Sequence, residues 1–265
     1  MRNRFCLLLL PFLSTPLPAI AAEPQCAGTL ADPSLPDSAR AEQLTKRAFA
    51  CLKEKKPVQS IALLSELIGI QPDNAQAYLN RGSTYVRLGQ FDAGVSDYDR
   101  VIGLEPSRFE GWYNRGSARV AARQYDAAIS DLNETIRLKP DFARAYCNRG
   151  LALLRKGEQE EALADFEKGL ELQVDMPLCY YGRGEVELSD GKYRDAIDDL
   201  TRGINFKPIA EALVHRATAY ERLGESDKAL RDYRSALSLQ PRFKEAKAGI
   251  TRLSQNDNKQ AEPSQ

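Results

Sequence analysis

The sequence predicts an all-α solenoid built from helix-turn-helix repeats and closed by a C-terminal helix. Three observations predict it. A triplet returns in steps of 34 residues as Asn80-Arg81-Gly82, Asn114-Arg115-Gly116, Asn148-Arg149-Gly150 and Gly182-Arg183-Gly184, and then, one residue short, as His215-Arg216-Ala217. Proline keeps the same ruler at Pro72, Pro106, Pro140, Pro208 and Pro241. So do Gly89, Gly157, Gly191 and Gly224, and the small residues Ala128, Ala162, Ala196 and Ala229. Independent tracks in one register are the mark of a repeat architecture, in which each unit buries its apolar face on its neighbours.

The chain begins differently. Arg2 and Arg4 precede an almost wholly apolar run from Phe5 to Leu13, and Ala19-Ile20-Ala21 supplies small residues two apart. This is the layout of a cleaved secretory leader over residues 1–21. The run is shorter than the roughly 20 residues a membrane span needs. An exported product, periplasmic or secreted and without stable membrane insertion, is therefore expected. Residues 22–39, with Pro24, Pro33 and Pro36, are expected to form an irregular arm.

Loss of the leader removes Cys6 and leaves Cys26, Cys51, Cys147 and Cys179. In an oxidising compartment an even set suggests disulfides, and sequence alone permits three pairings. Cys26 with Cys51 would pin the arm to the first helix. Cys147 and Cys179 fall at a similar height on consecutive units.

Six units are expected, at 40–73, 74–107, 108–141, 142–175, 176–208 and 209–241. In the second, Tyr78, Gly82, Tyr85 and Leu88 share one helical face, Gly89 ends the first helix, and Phe91, Val95, Tyr98, Ile102 and Leu104 mark the second. Pro106 stops that helix. The first unit departs from the pattern, with Ala48, Lys55 and Ser60 where Gly, Gly and Ala are expected, as suits a terminal unit. A closing helix is expected over 243–253 and a disordered tail over 254–265, which lacks large apolar residues.

These residues resemble the tetratricopeptide repeat family. The clearest unit has Trp112 to Gly116, then Tyr125 to Ile129, then Pro140, matching the family's aromatic–Gly–Ala–Pro framework. The resemblance implies a right-handed superhelix and a scaffold that binds another protein or peptide. It also implies that the first helices line a concave groove. The groove positions are then Leu79, Asn80 and Ser83, followed by Tyr113, Asn114 and Ser117. Further along come Asn148, Leu151 and Arg155, then Tyr181, Glu185 and His215. Asn80, Asn114 and Asn148 either grip peptide bonds, which a side-chain amide can do by donating and accepting, or complete hydrogen bonds between repeats. Tyr113 and Tyr181 offer flat anchoring area. A glycan or cell-wall fragment stacked on Tyr113, Trp112 and Tyr181 is the alternative ligand. Some family members pair as homodimers.

Each triplet Arg has an Asp 16 residues downstream: Arg81/Asp97, Arg115/Asp131, Arg149/Asp165, Arg183/Asp199 and Arg216/Asp232. Salt bridges at a half-buried seam are the expected role. Composition speaks against other classes. Lys and Arg number 37 and Asp and Glu 37, so no strong field recruits nucleic acid. One His, and no Cys-x-x-Cys or phosphate-binding glycine loop, give no basis for a metal, a cofactor or catalysis. A non-catalytic adaptor of the cell envelope is the functional expectation.

Overall fold

The structure, a computed structural model, describes Cys26 and residues 34–261, with side chains to residue 255. The expected leader, most of the arm and the last four residues lie outside the described residues. The described residues are all-α, with thirteen helices and no strand among them. They fall into two units, one ending at Ile70 and one starting at Gln71.

The first unit is a single hairpin of α1 (Asp37–Lys53) and α2 (Pro57–Ile70). Leu44, Ala48, Leu64 and Leu67 are buried in it. Helix α1 starts at Asp37, inside the expected arm. Lys55, at the slot where other hairpins place Gly, holds φ at 58°. Cys26 is bonded to Cys51 with Cα atoms 4.5 Å apart. Its backbone N–H donates to Glu54 Oε1 at 2.9 Å, so the arm is tied to the end of α1 twice.

The second unit stacks five hairpins: α3 (Ala75–Arg87) with α4 (Phe91–Leu104), α5 (Phe109–Ala121) with α6 (Tyr125–Leu138), α7 (Ala143–Lys156) with α8 (Gln159–Leu172), α9 (Pro177–Ser189) with α10 (Tyr193–Phe206), and α11 (Ala210–Arg222) with α12 (Ser226–Leu239). Helix α13 (Lys244–Ala261) closes the stack against α12. It runs past Leu253 into the stretch expected to be disordered. The cause is that nothing stops it: no Pro occurs after Pro241 until Pro263, and extending an existing helix adds one hydrogen bond per residue fixed.

Two local rules build each hairpin. The turn between its helices needs a residue at positive φ, supplied by Gly89, Gly157, Gly191 and Gly224 at 75–90°, while α5 and α6 are joined through Arg123 at 61°. The helices then meet at a triplet Gly. A Cβ on Gly150 would sit 2.8 Å from the Phe166 ring, which is buried between α7 and α9. The slot of Phe166 holds Tyr98, Leu132, Leu200 and Tyr233 in the other hairpins, all buried. Leu88, placed on the buried stripe by its spacing, is 39% exposed because it caps the last turn of α3.

The triplet arginines knit the stack. Each reaches its partner Asp across the hairpin with two hydrogen bonds; for Arg149 they are 2.7 and 2.6 Å to Asp165. In three of them a further N–H points back to the second helix of the preceding hairpin. Arg115 reaches Asp99 at 2.5 Å, Arg149 reaches Asn133 at 2.6 Å and Arg216 reaches Thr201 at 2.9 Å. The pair bonds hold Arg149 and Arg216 above the usual guanidinium range, against the opposing effect of burial. Between α7 and α9 a covalent bond joins the weave. Cys147 and Cys179 form a disulfide with Cα atoms 5.0 Å apart. It packs on Gly169 of α8, where a Cβ would lie 2.5 Å from Cys179 Sγ.

Candidate functional site

Besides its hairpin partner, each first helix of the second unit touches the next first helix: α3 meets α5, α5 meets α7, α7 meets α9, α9 meets α11 and α11 meets α13. The first helices are therefore the inner row, and their outward faces form one surface. The triplet arginines are drawn into the seams, and the expected groove positions lie on these same first helices.

Asn80, Asn114 and Asn148 part company there. Asn80 Oδ1 accepts from Gln76 Nε2 on its own helix at 2.9 Å. Asn148 Nδ2 donates to Arg144 O at 2.9 Å and to the Tyr113 hydroxyl at 3.3 Å, so it bridges two repeats. Asn114 has no hydrogen-bond partner among the described residues and keeps both amide functions free. Ser83 shares a hydrogen bond with the Tyr98 hydroxyl at 3.1 Å. Ser117 Oγ is buried without a partner.

The aromatic groups are less free than their position suggests. Tyr113 packs edge-on against Phe142, ring centroids 4.8 Å apart. The Tyr181 hydroxyl donates to Gly203 O at 2.8 Å and to Lys207 O, and burial pushes its pKa up. Trp112 donates from Nε1 to Pro106 O at 2.9 Å, and the Arg115 guanidinium lies over its ring at 4.9 Å. One indole face is thus taken by Arg115.

Further along, α7, α9 and α11 enclose a recess of about 100 Å³. It gathers five expected groove residues, Leu151, Arg155, Tyr181, Glu185 and His215. Leu178, Gly182, Ile209, Glu211 and Ala212 complete it and lie outside the expected groove positions. Helical spacing was the available clue, since Leu178 precedes Tyr181 by three residues and Glu211 precedes His215 by four. Arg155 grips Glu185 with two hydrogen bonds of 2.7 and 3.2 Å. That pair, with a further pull from Glu211, raises the Arg155 pKa against the opposing effect of burial. Leu79, Asn80 and Ser83 lie at the far end, on α3, away from this recess.

Behind this face, Glu187 of α9 takes the slot occupied by Arg119 two repeats earlier. Its Oε2 is buried without a hydrogen-bond partner. Burial, and next the Asp199 carboxylate, push its pKa up to about 7. Among the described residues no group of His, Cys, Asp or Glu is arranged to hold a metal ion, and no helix is long and apolar enough to cross a membrane.

Stacked hairpins of this length, with small residues at the helix crossings, define a helical-repeat solenoid. Tetratricopeptide repeat models match residues 75–108 and 113–177, and an ETO1 C-terminal domain model matches residues 146–258. The chain belongs to the tetratricopeptide repeat family. No curated protein sequence matches it.

Solved structures agree on the fold. The pilF protein of Pseudomonas aeruginosa superposes with a TM-score of 0.69 at 17% identity, covering 82% of this chain and 99% of that one. PilW, described as a widely conserved type IV pilus biogenesis factor, superposes with a TM-score of 0.68 at 17% identity, covering 79% and 98%. YrrB, described as a tetratricopeptide repeat protein with an unusual peptide-binding site, gives a TM-score of 0.51 at 18% identity over 71% and 97%.

Proposed function

We propose that this chain is a non-catalytic interaction scaffold that works outside the cytoplasm and receives an extended peptide, or an extended segment of a partner protein, on its first-helix face. The observation that carries the reading is the recess where α7, α9 and α11 meet, with aliphatic walls at Leu151, Leu178 and Ile209 and a rim of Arg155, Glu185, Glu211 and His215. Apolar walls with a few convergent polar groups are what a binding site offers a ligand. The unpartnered amide of Asn114 adds a point able to hold a peptide group on the same face. YrrB, of the same fold, is described as having a peptide-binding site. The two disulfides and the leader-like first residues support export.

Affinity capture from the native envelope tests this, comparing the wild-type chain with the double variant Asn114→Arg, Leu151→Arg. Both positions are partly exposed on the first-helix face, so folding is expected to survive, and circular dichroism checks it. A partner retained by the wild type and lost by the variant is the expected outcome. Equal retention would move the binding surface elsewhere and end this reading.

A further inference from the structure

We infer that the recess between α7, α9 and α11 is a selectivity pocket for one long cationic side chain, Lys or Arg, of the bound peptide. The inference rests on the peptide-binding reading above and names the chemistry of the residue recognised.

Size comes first. The recess holds about 100 Å³, room for about three waters at roughly 30 Å³ each, and so for the end of one long side chain. Wall chemistry comes second. Leu151, Leu178 and Ile209 present aliphatic surface that a methylene stem can cover, while the rim is charged. Lys and Arg alone combine a long apolar stem with a cation at its tip.

Charge decides the sign. The rim carries His215 and one guanidinium, Arg155, which is already bound by Glu185 through two hydrogen bonds. Glu211, exposed at the start of α11, makes no salt bridge among the described residues. The uncommitted charge at the mouth is thus a carboxylate. A carboxylate-bearing ligand would meet Glu211 and find Arg155 occupied. A cationic tip entering along the aliphatic walls meets Glu211 directly. A purely apolar side chain of the same length fills the walls and leaves Glu211 unanswered. Specificity here comes from repelling the acidic side chain as well as attracting the basic one.

The Arg155–Glu185 pair makes the idea sharp. Arg155 competes with the incoming cation for Glu185, so removing Arg155 releases a second carboxylate into the recess. Loss of a basic rim residue should therefore strengthen the binding of a basic peptide, which no merely structural role for Arg155 would produce.

The test is selection of peptides from a displayed library of random 12-residue sequences on the purified, disulfide-bonded chain, followed by fluorescence anisotropy on the peptides recovered. Expected are peptides enriched in Lys or Arg at one fixed position. Exchange of that residue for norleucine or Glu should weaken binding at least tenfold, the scale of one charge-assisted hydrogen bond. Glu211→Gln should cause a comparable loss, and Glu211→Lys should select peptides without the basic residue. Arg155→Leu should tighten the wild-type peptides. Peptides with no basic preference, or the same peptides selected by Glu211→Lys, would overturn the pocket while leaving peptide binding intact. Recovery of no peptide above a blank support would overturn both.

Discussion

Arg115 and Asp131 face each other across one hairpin, with Nη2 2.6 Å from Oδ1 and Nε 3.0 Å from Oδ2. Asp131 also takes Arg119 Nη1 at 2.7 Å and is itself almost fully buried. One buried carboxylate thus answers two guanidinium groups, whereas Asp165 answers Arg149.

Asp131→Ala is therefore expected to cost more than Asp165→Ala. Breaking a buried pair by deleting one partner costs about 3–5 kcal/mol. Asp165→Ala should fall near the bottom of that range and Asp131→Ala near the top. Urea unfolding with an unchanged denaturant slope would measure both. Equal midpoints for the two variants would show that Arg119 adds nothing.

Arg123 holds a left-handed conformation at φ 61° where four other hairpins use Gly. A side chain there costs roughly 1–2 kcal/mol, part of which Gly returns by loosening the unfolded chain. Arg123→Gly should raise stability by about 0.5–1 kcal/mol and lift the melting temperature. A lower melting temperature would mean that the Arg123 side chain makes a stabilising contact.

The bond between Cys147 and Cys179 closes a loop of 32 residues. Chain-entropy arguments put its contribution at about 3–4 kcal/mol. The double variant Cys147→Ser, Cys179→Ser should lose roughly that much and should spare the hairpin of the first unit, whose own bond joins Cys26 to Cys51. Gly169→Ala should destabilise the oxidised chain by about 1–3 kcal/mol, because the new methyl meets Sγ of Cys179. Reduction should shrink that penalty as the thiols turn away; an unchanged penalty would place the strain elsewhere.

Glu187 supplies a pH dependence. Its pKa in the folded chain is raised from 4.5 to about 7, chiefly by burial. Asp199 and Asp195 act in the same direction, while Arg183 and Lys192 oppose it. The folded state thus holds a proton that the unfolded state releases between these values, and stability falls as pH climbs through that window. Glu187 keeps part of its side chain in contact with solvent, so screening reduces the effect to about 1 kcal/mol. Glu187→Gln should match the wild type near pH 4.5 and exceed it by that amount at pH 8. The same difference at both pH values would show that Glu187 does not titrate in this window.

Everything that repeats was legible in the order of the residues. The positions of the helices, their glycine turns and the Arg–Asp offset of 16 residues all recur with the period, because each is set within a hairpin or against its neighbour. Even the bond between Cys147 and Cys179 was readable as one of three pairings, since equal height on adjacent repeats is a local relation. Which side chains of the first-helix face remain free depends on packing between helices. Asn80, Asn114 and Asn148 share one repeat position, yet their fates differ with what Gln76 and Tyr113 present to them. Arg155 and Glu185 meet from different repeats across 30 residues of chain, and Glu211 joins them from a third helix. The inner surface is the part of the solenoid where packing does not demand repetition, so its side chains vary from unit to unit. Their partnerships exist only once three helices are in place.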